Sequence, residues 1–315
     1  VAPGRLFRSH FSTTSFETHF TTGGLLAAQS FSVHSSASLR NSWGGAITAS
    51  LMDIGGTHCV SCARGGPALR QSLRQNVRVD IVGDPRPSVV PRGAVRFGGS
   101  DGGRSWTRGA DAGVEARLAS RFSASLVAAY DRVVNDQQWV GNFGALLADT
   151  THYTFARLDQ HILGITTRAN WTATPTLSFQ LYAQPFVSSG SYSLWRELDA
   201  PRATAYDDRF RTYRAGASPP GFNGKQFNSN AVVRWEYRPA SVLFLVWQQL
   251  QHDYTLNGSA RRTAKSAASL GPIAETSPRP ATDNPALHDC VPAARQCLAS
   301  SDMRQTSTQR RGLRA

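Results

Sequence analysis

Apolar and polar residues alternate with a period of two through the middle of this chain, whereas the 3.6-residue period of an amphipathic helix is nearly absent. In residues 161–174 the positions of one parity are apolar or β-branched: Leu163, Ile165, Thr167, Ala169 and Trp171. The positions between them are Gly164, Thr166, Arg168 and Asn170. Because successive side chains of a strand point to opposite faces, this pattern predicts a strand with one apolar and one polar face.

The same alternation recurs in three pairs of segments, each with a turn signal between its two members. The pairs span residues 112–134, 161–186 and 227–249, with bends at 120–121, 174–176 and 238–241. Less regular strands are predicted at 30–39, 43–52, 73–82 and 89–98. These segments amount to roughly nine or ten strands joined largely by hairpin turns. The sequence therefore predicts an all-β, antiparallel fold.

The length of the apolar segments indicates how such a chain meets a membrane. No run approaches the roughly 18 consecutive apolar residues of a spanning helix, whereas a spanning strand needs only about 9–11 residues. Short turns and long polar loops such as 189–226 are typical of membrane barrels. These features favour a membrane β-barrel. The first residues lack the apolar core of a signal peptide, so we expect either that the protein is not exported or that its beginning is missing from this sequence.

Two other functional classes remain open at this point. A soluble or surface β-sandwich that binds polysaccharide has similar strands, and the segment Val242–Gln249, apolar on both faces, favours it. The net charge of +13 permits a basic nucleic-acid-binding module. The arginines are spread along the chain without a dense cluster, so we expect no nucleic-acid partner.

The residues that resemble a chemical site have simpler structural interpretations. Cys59 and Cys62 form a C-x-x-C sequence next to His58, a pattern found in zinc and redox sites. Glycines flank it on both sides and no second pair has zinc-ligand spacing, so we expect a loop disulfide or free thiols and no metal. The adjacent acids Asp207 and Asp208 are expected on a solvated loop. No nucleophile, base and acid occur in a recognisable arrangement, and we expect neither an enzyme nor a bound cofactor.

Several stretches resemble a known family. The segments "HYTFARLDQ", "TTRANWTATPTLSFQLYAQPFVSSGSY" and "AVVRWEYRPASVLFLVWQQ" resemble the C-terminal part of the bacterial family known as domain of unknown function 5916. The resemblance covers roughly residues 30–250. It implies an outer-membrane-type β-barrel in the bacterial outer membrane, which we expect to be incomplete in this chain. The barrel would follow a domain similar to carbohydrate-binding-module family 9, which we expect to be missing from this sequence. Its implied partners are outer-membrane lipid, the outer-membrane assembly machinery and, as the leading solute, oligosaccharide.

These expectations assign residues to two faces and divide the chain into three parts. The candidates for the polar interior of the barrel are Arg168, Arg234 and Glu236. The candidates for lipid or its interface are Trp171, Phe179, Trp235 and Tyr237. We expect an uncertain N-terminal segment at 1–29, barrel strands at 30–254 and a disordered low-complexity tail at 255–315.

Overall fold

The computed structural model describes residues 6–144, 150–214 and 219–257, and these residues form an all-β protein. The strands are β1 (Phe7–Phe20), β2 (Leu26–Leu39), β3 (Gly44–Met52), β4 (His58–Cys59), β5 (Leu69–Arg70), β6 (Arg74–Val82), β7 (Val89–Ser100), β8 (Ser105–Ala119), β9 (Phe122–Phe143), β10 (His152–Thr174), β11 (Leu177–Leu198), β12 (Phe210–Thr212), β13 (Gly221–Arg238) and β14 (Ser241–Asn257). Short 3₁₀ turns lie at Asp101–Gly103 and Asp207–Arg209.

One antiparallel sheet contains nearly all of these strands. Its order is β1-β2-β3-β6-β7-β8-β9-β10-β11-β13-β14, with β12 paired beside β11, while β4 and β5 form a separate small ribbon. Every neighbouring pair is antiparallel, so the predicted fold class is confirmed. The sheet is not closed, because β1 and β14 each pair on one side only within the described residues.

The predicted hairpins agree with the structure in position and in turn. β8 and β9 turn at 120–121, β10 and β11 turn at 175–176, and β13 and β14 turn at 239–240. The predicted range of the barrel strands, 30–254, was too narrow. The sheet begins at Phe7 rather than near residue 30, and β14 continues to Asn257. The predicted tail lies outside the described residues from 258 onward.

The connections between strands differ in length at the two ends of the sheet. At one end, which we call the turn end, they contain two to six residues and comprise 40–43, 83–88, 120–121, 175–176 and 239–240. At the other, the loop end, they contain four to 22 residues and comprise 21–25, 53–73, 101–104, 144–151 and 199–220. This division follows from strict antiparallel order, in which successive connections lie at alternate ends.

The buried apolar core lies at the loop end. Ala63 and Leu69 from the 53–73 connection pack against Phe155 of β10 and Phe210 of β12. The rings of Phe155 and Phe210 meet edge to face, with centroids 5.6 Å apart. β9, β10 and β11 extend beyond their neighbours and form the wall against which this cluster packs.

Candidate functional site

One face of the sheet carries a continuous apolar band. In β9 it contains Phe122, Ala124, Leu126, Ala128 and Tyr130, which stand opposite Trp171, Ala169, Thr167, Ile165 and Leu163 of β10. The band therefore extends over nine residues of each strand. Nine residues span about 30 Å along a strand, which becomes about 23 Å if the strands tilt by about 40°.

The band continues from β3 to β11, and nothing in the described residues covers it. On the two edge strands polar side chains interrupt it: His10 and Ser12 in β1, and Gln249 and Gln251 in β14. Ile47 of β3 stands opposite Val79 of β6, which stands opposite Val95 of β7. Leu126 and Leu181 are both 46% exposed although they lie in the middle of the sheet. Exposed apolar surface on this scale is unfavourable in water by about 25 cal/mol per Å², and it marks a surface that meets lipid or another apolar partner.

Aromatic side chains mark the limit of the band at the turn end. Trp171 lies beside Phe122 and Phe179, and its ring stacks on that of Phe179 with centroids 5.2 Å apart. Trp235 and Tyr237 continue the row on β13, with ring centroids 6.1 Å apart. The four aromatic residues expected at a lipid interface therefore lie together along one edge of the apolar face.

A second group of aromatic and charged side chains marks the limit at the loop end. The Tyr130 hydroxyl lies 2.7 Å from Nδ1 of His161. The guanidinium groups of Arg108 and Arg132 lie 5.0 and 5.2 Å from the ring centroid of Trp106. Amphipathic rings and arginines are the groups that anchor membrane proteins at the water interface.

The opposite face, which we call the polar face, has a charged half on β6 to β9. Arg96 forms ion pairs with Asp111 and with Asp131, the latter at 3.0 Å. Arg96, Gly109 and Asp131 are direct neighbours across three strands. A Cβ at Gly109 would lie 1.8 Å from the Asp131 carboxylate, so glycine is the residue that lets this carboxylate reach across to Arg96.

The other half of the polar face, on β10, β11, β13 and β14, is rich in amides and nearly neutral. Its amide side chains are Gln160, Asn170, Gln180, Gln184, Gln226, Asn228, Asn230 and Gln248. Arg168 lies in this half with its guanidinium 5.5 Å from the ring centroid of Tyr182. Arg234 and Glu236 lie nearer the turn end and pair with each other at 3.1 Å. The three residues expected in a polar interior thus share one face, but Arg168 stands apart from the other two.

A buried carboxylate organises the loop end. Asp136, 1% exposed, accepts hydrogen bonds from Arg157 at 3.3 Å, Arg196 at 3.1 Å and the Tyr206 hydroxyl at 2.7 Å. Burial, together with the adjacent Asp136 carboxylate, raises the pKa of Tyr206 above its ordinary value. This group joins β9, β10 and β11 to the 199–220 connection.

A buried arginine joins the two longest connections to each other. Arg209 donates hydrogen bonds to the carbonyl oxygens of Arg70, Ala203 and Thr204 and to the Ser72 hydroxyl. Burial lowers the pKa of Arg209, since the charged form loses hydration. Neither Asp136 nor Arg209 was predicted from the sequence, because their partners are distant in sequence. The one available signal was the charge of Asp136 within a strand that ends in aromatic residues.

The cysteines and one of the two acids that the sequence suggested as chemical groups form a disulfide and a surface ion pair. Cys59 and Cys62 form a disulfide in the 53–73 connection, as one of the two expected outcomes. Asp207 is exposed and pairs with Arg104 at 2.8 Å. In the described part of the chain no three His, Cys, Asp or Glu side chains are grouped so as to hold a metal ion.

Comparison with known proteins adds no family to these observations. No family model matches the chain, and no curated protein sequence matches it. Among the described residues no helix has the length and apolarity needed to cross a membrane.

Proposed function

We propose that residues 7–257 form part of the wall of a bacterial outer-membrane β-barrel, with the apolar face toward lipid and the polar face toward a water-filled interior. The role is non-enzymatic. The barrel anchors a carbohydrate-binding domain or passes the polar solute that such a domain captures, as the resemblance to domain of unknown function 5916 implies.

The apolar band is the observation that carries the proposal. Its nine-residue length matches the roughly 9–11 residues of a spanning strand, and its estimated height of about 23 Å is close to the roughly 25 Å of an outer-membrane barrel. Aromatic residues lie at both limits, and the three longest connections, 53–73, 144–151 and 199–220, all lie at the loop end. These features together are those expected of a sheet built for a bilayer.

A soluble β-sandwich is the second candidate, and β14 is the observation that favours it. Phe244 and Leu245 point to opposite faces and are 59% and 67% exposed. A sandwich would cover at least one of these faces with a second sheet. In the described residues the only other sheet is the two-stranded ribbon β4–β5, which packs at the loop end, so the barrel has the stronger support.

Fractionation of the natural host tests the proposal. The natural gene is expressed with its own upstream region, and membranes are separated by density before gel electrophoresis with and without boiling. We expect the protein in the outer-membrane fraction, with a mobility that changes on boiling. A protein that stays in the soluble fraction with unchanged mobility would refute the proposal and favour the sandwich.

A further inference from the structure

The two halves of the polar face differ in whether their polar side chains bind one another. In the charged half, Arg96 is held by two carboxylates and Arg78 pairs with Asp80 at 2.7 Å. In the neutral half, Asn230 and Gln248 are exposed and make no side-chain hydrogen bond within the described residues. Groups that already bind each other are poorly placed to bind a solute, whereas free amides present both donors and acceptors.

Four residues of the neutral half stand side by side across the sheet. Arg168 is opposite Tyr182, Tyr182 is opposite Asn230, and Asn230 is opposite Gln248. Three steps of about 4.8 Å between strands give a row about 14 Å long. The Tyr182 hydroxyl donates to Oε1 of Gln184 at 2.8 Å, which fixes the ring at the centre of the row.

Apolar groups lie directly beside this row on the turn-end side. Val232 stands opposite Val246, and the next pair is Arg234 with Phe244. The Phe244 ring is 59% exposed on the polar face, where a solvated surface would ordinarily carry a polar residue. The unusual second apolar face of β14 thus lies next to a row of free amides.

The charge of this region selects the kind of solute. In the described part of β10, β11, β13 and β14 level with Leu163–Trp171, the polar face carries no carboxylate, and Arg168 is its one arginine or lysine. Nearer the turn end, Glu236 is paired with Arg234. A strongly charged solute loses hydration when it leaves water, and this surface offers too little opposite charge to compensate for that loss.

We propose that the row Arg168–Tyr182–Asn230–Gln248, together with Phe244 about 13 Å further along β14, is a binding track for neutral oligosaccharides. Sugar hydroxyls pair with the amides, which donate and accept, and the C–H faces of the sugar rings pack on Tyr182 and Phe244. The track rests on the proposed function, because it assigns this face to the water-filled interior.

Binding of defined hexasaccharides to the full chain in phospholipid vesicles tests the track. The panel is maltohexaose, cellohexaose, chitohexaose and mannohexaose, with hexagalacturonate as the charged comparison. We expect at least one neutral hexasaccharide to bind more tightly than hexagalacturonate. Asn230→Leu should weaken that binding by about tenfold through lost hydrogen bonds, and Tyr182→Ala by a similar factor. The matched control Asn76→Leu removes an amide from the charged half and should leave the affinity unchanged.

The outcomes separate the track from the proposed function. If the chain inserts into vesicles but none of the neutral sugars binds, the track is wrong and the barrel stands. Equal losses in Asn230→Leu and Asn76→Leu, or tighter binding of hexagalacturonate, would also overturn the track. Insertion is measured in the same samples from the mobility shift on boiling, so a chain that fails to insert overturns the proposed function instead.

Discussion

Thr166 and Thr167 of β10 are neighbours in sequence and lie on opposite faces of the sheet, so they form a matched pair for a test of the two faces. Thr167 stands between Leu126 and Ala183 on the apolar face, four residues from each limit of the band at Leu163 and Trp171. Thr166 stands opposite Val127 on the polar face. We consider the substitution of each by arginine.

The expected cost of Thr167→Arg follows from its position at the centre of the band. An arginine on the lipid face of a barrel costs about 2–4 kcal/mol at the midplane, which reduces the folding equilibrium roughly 30- to 900-fold. Thr166→Arg places the same side chain in the polar interior, where a cost of about 1 kcal/mol or less is expected. Both variants change the net charge equally, so the comparison isolates the environment.

Urea titration of folding into phosphatidylcholine vesicles measures the folding free energy of each variant. Thr167→Val serves as a third variant and should fold at least as well as the natural protein, because it places an apolar residue in lipid. The assignment of faces would be wrong if Thr166→Arg and Thr167→Arg lost the same free energy, or if Thr166→Arg lost more.

Three further predictions concern the loop end. Asp136→Asn should destabilise the loop end by about 3 kcal/mol, because it removes a buried carboxylate from the partly buried guanidinium groups of Arg157 and Arg196, whereas Asp207→Asn on the surface should cost under about 1 kcal/mol; thermal unfolding of the two variants compares these costs. Replacement of Cys59 and Cys62 by serine should cost about 2 kcal/mol, since the bond closes only a short loop, and should increase protease cleavage in 53–73 without affecting insertion. Because the pKa of Tyr206 is raised in the folded state, its stabilising effect should be complete below pH of about 10 and should decline as the pH rises further; thermal midpoints between pH 9 and 11 should fall more in the natural protein than in Tyr206→Phe.

The central strands were predictable because their signals are local. In β10 and β11, alternation and the short turn at 175–176 determine pairing and register together. β1 was not predicted because its aromatic residues occupy both faces. Phe16 stands opposite Phe31 on the apolar face, whereas Phe11 stands opposite Ser36 on the polar face, so the period-two signal is blurred.

The loop end was not predictable because its contacts join residues far apart in the chain. Arg209 reaches the Arg70 carbonyl across 139 positions, and Tyr206 reaches Asp136 across 70. Sequence periodicity carries no information on such pairs. Strand parity alone sufficed to predict that Arg168 lies on the polar face. That Arg168, Tyr182 and Asn230 form a row could not be predicted, because it depends on the register of three strands.

Site-directed spin labelling along β10 tests the two-faced barrel wall most directly. Residues 161–171 are replaced singly by cysteine in a background in which Cys290 and Cys297 are serine, and the full chain is labelled in phospholipid bilayers. Collision rates with oxygen, which concentrates in lipid, and with a water-soluble nickel chelate are then compared. We expect alternation with a period of two: high oxygen collision rates at 163, 165, 167 and 169, and high nickel collision rates at 164, 166, 168 and 170. Equal nickel access at both sets of positions would contradict it.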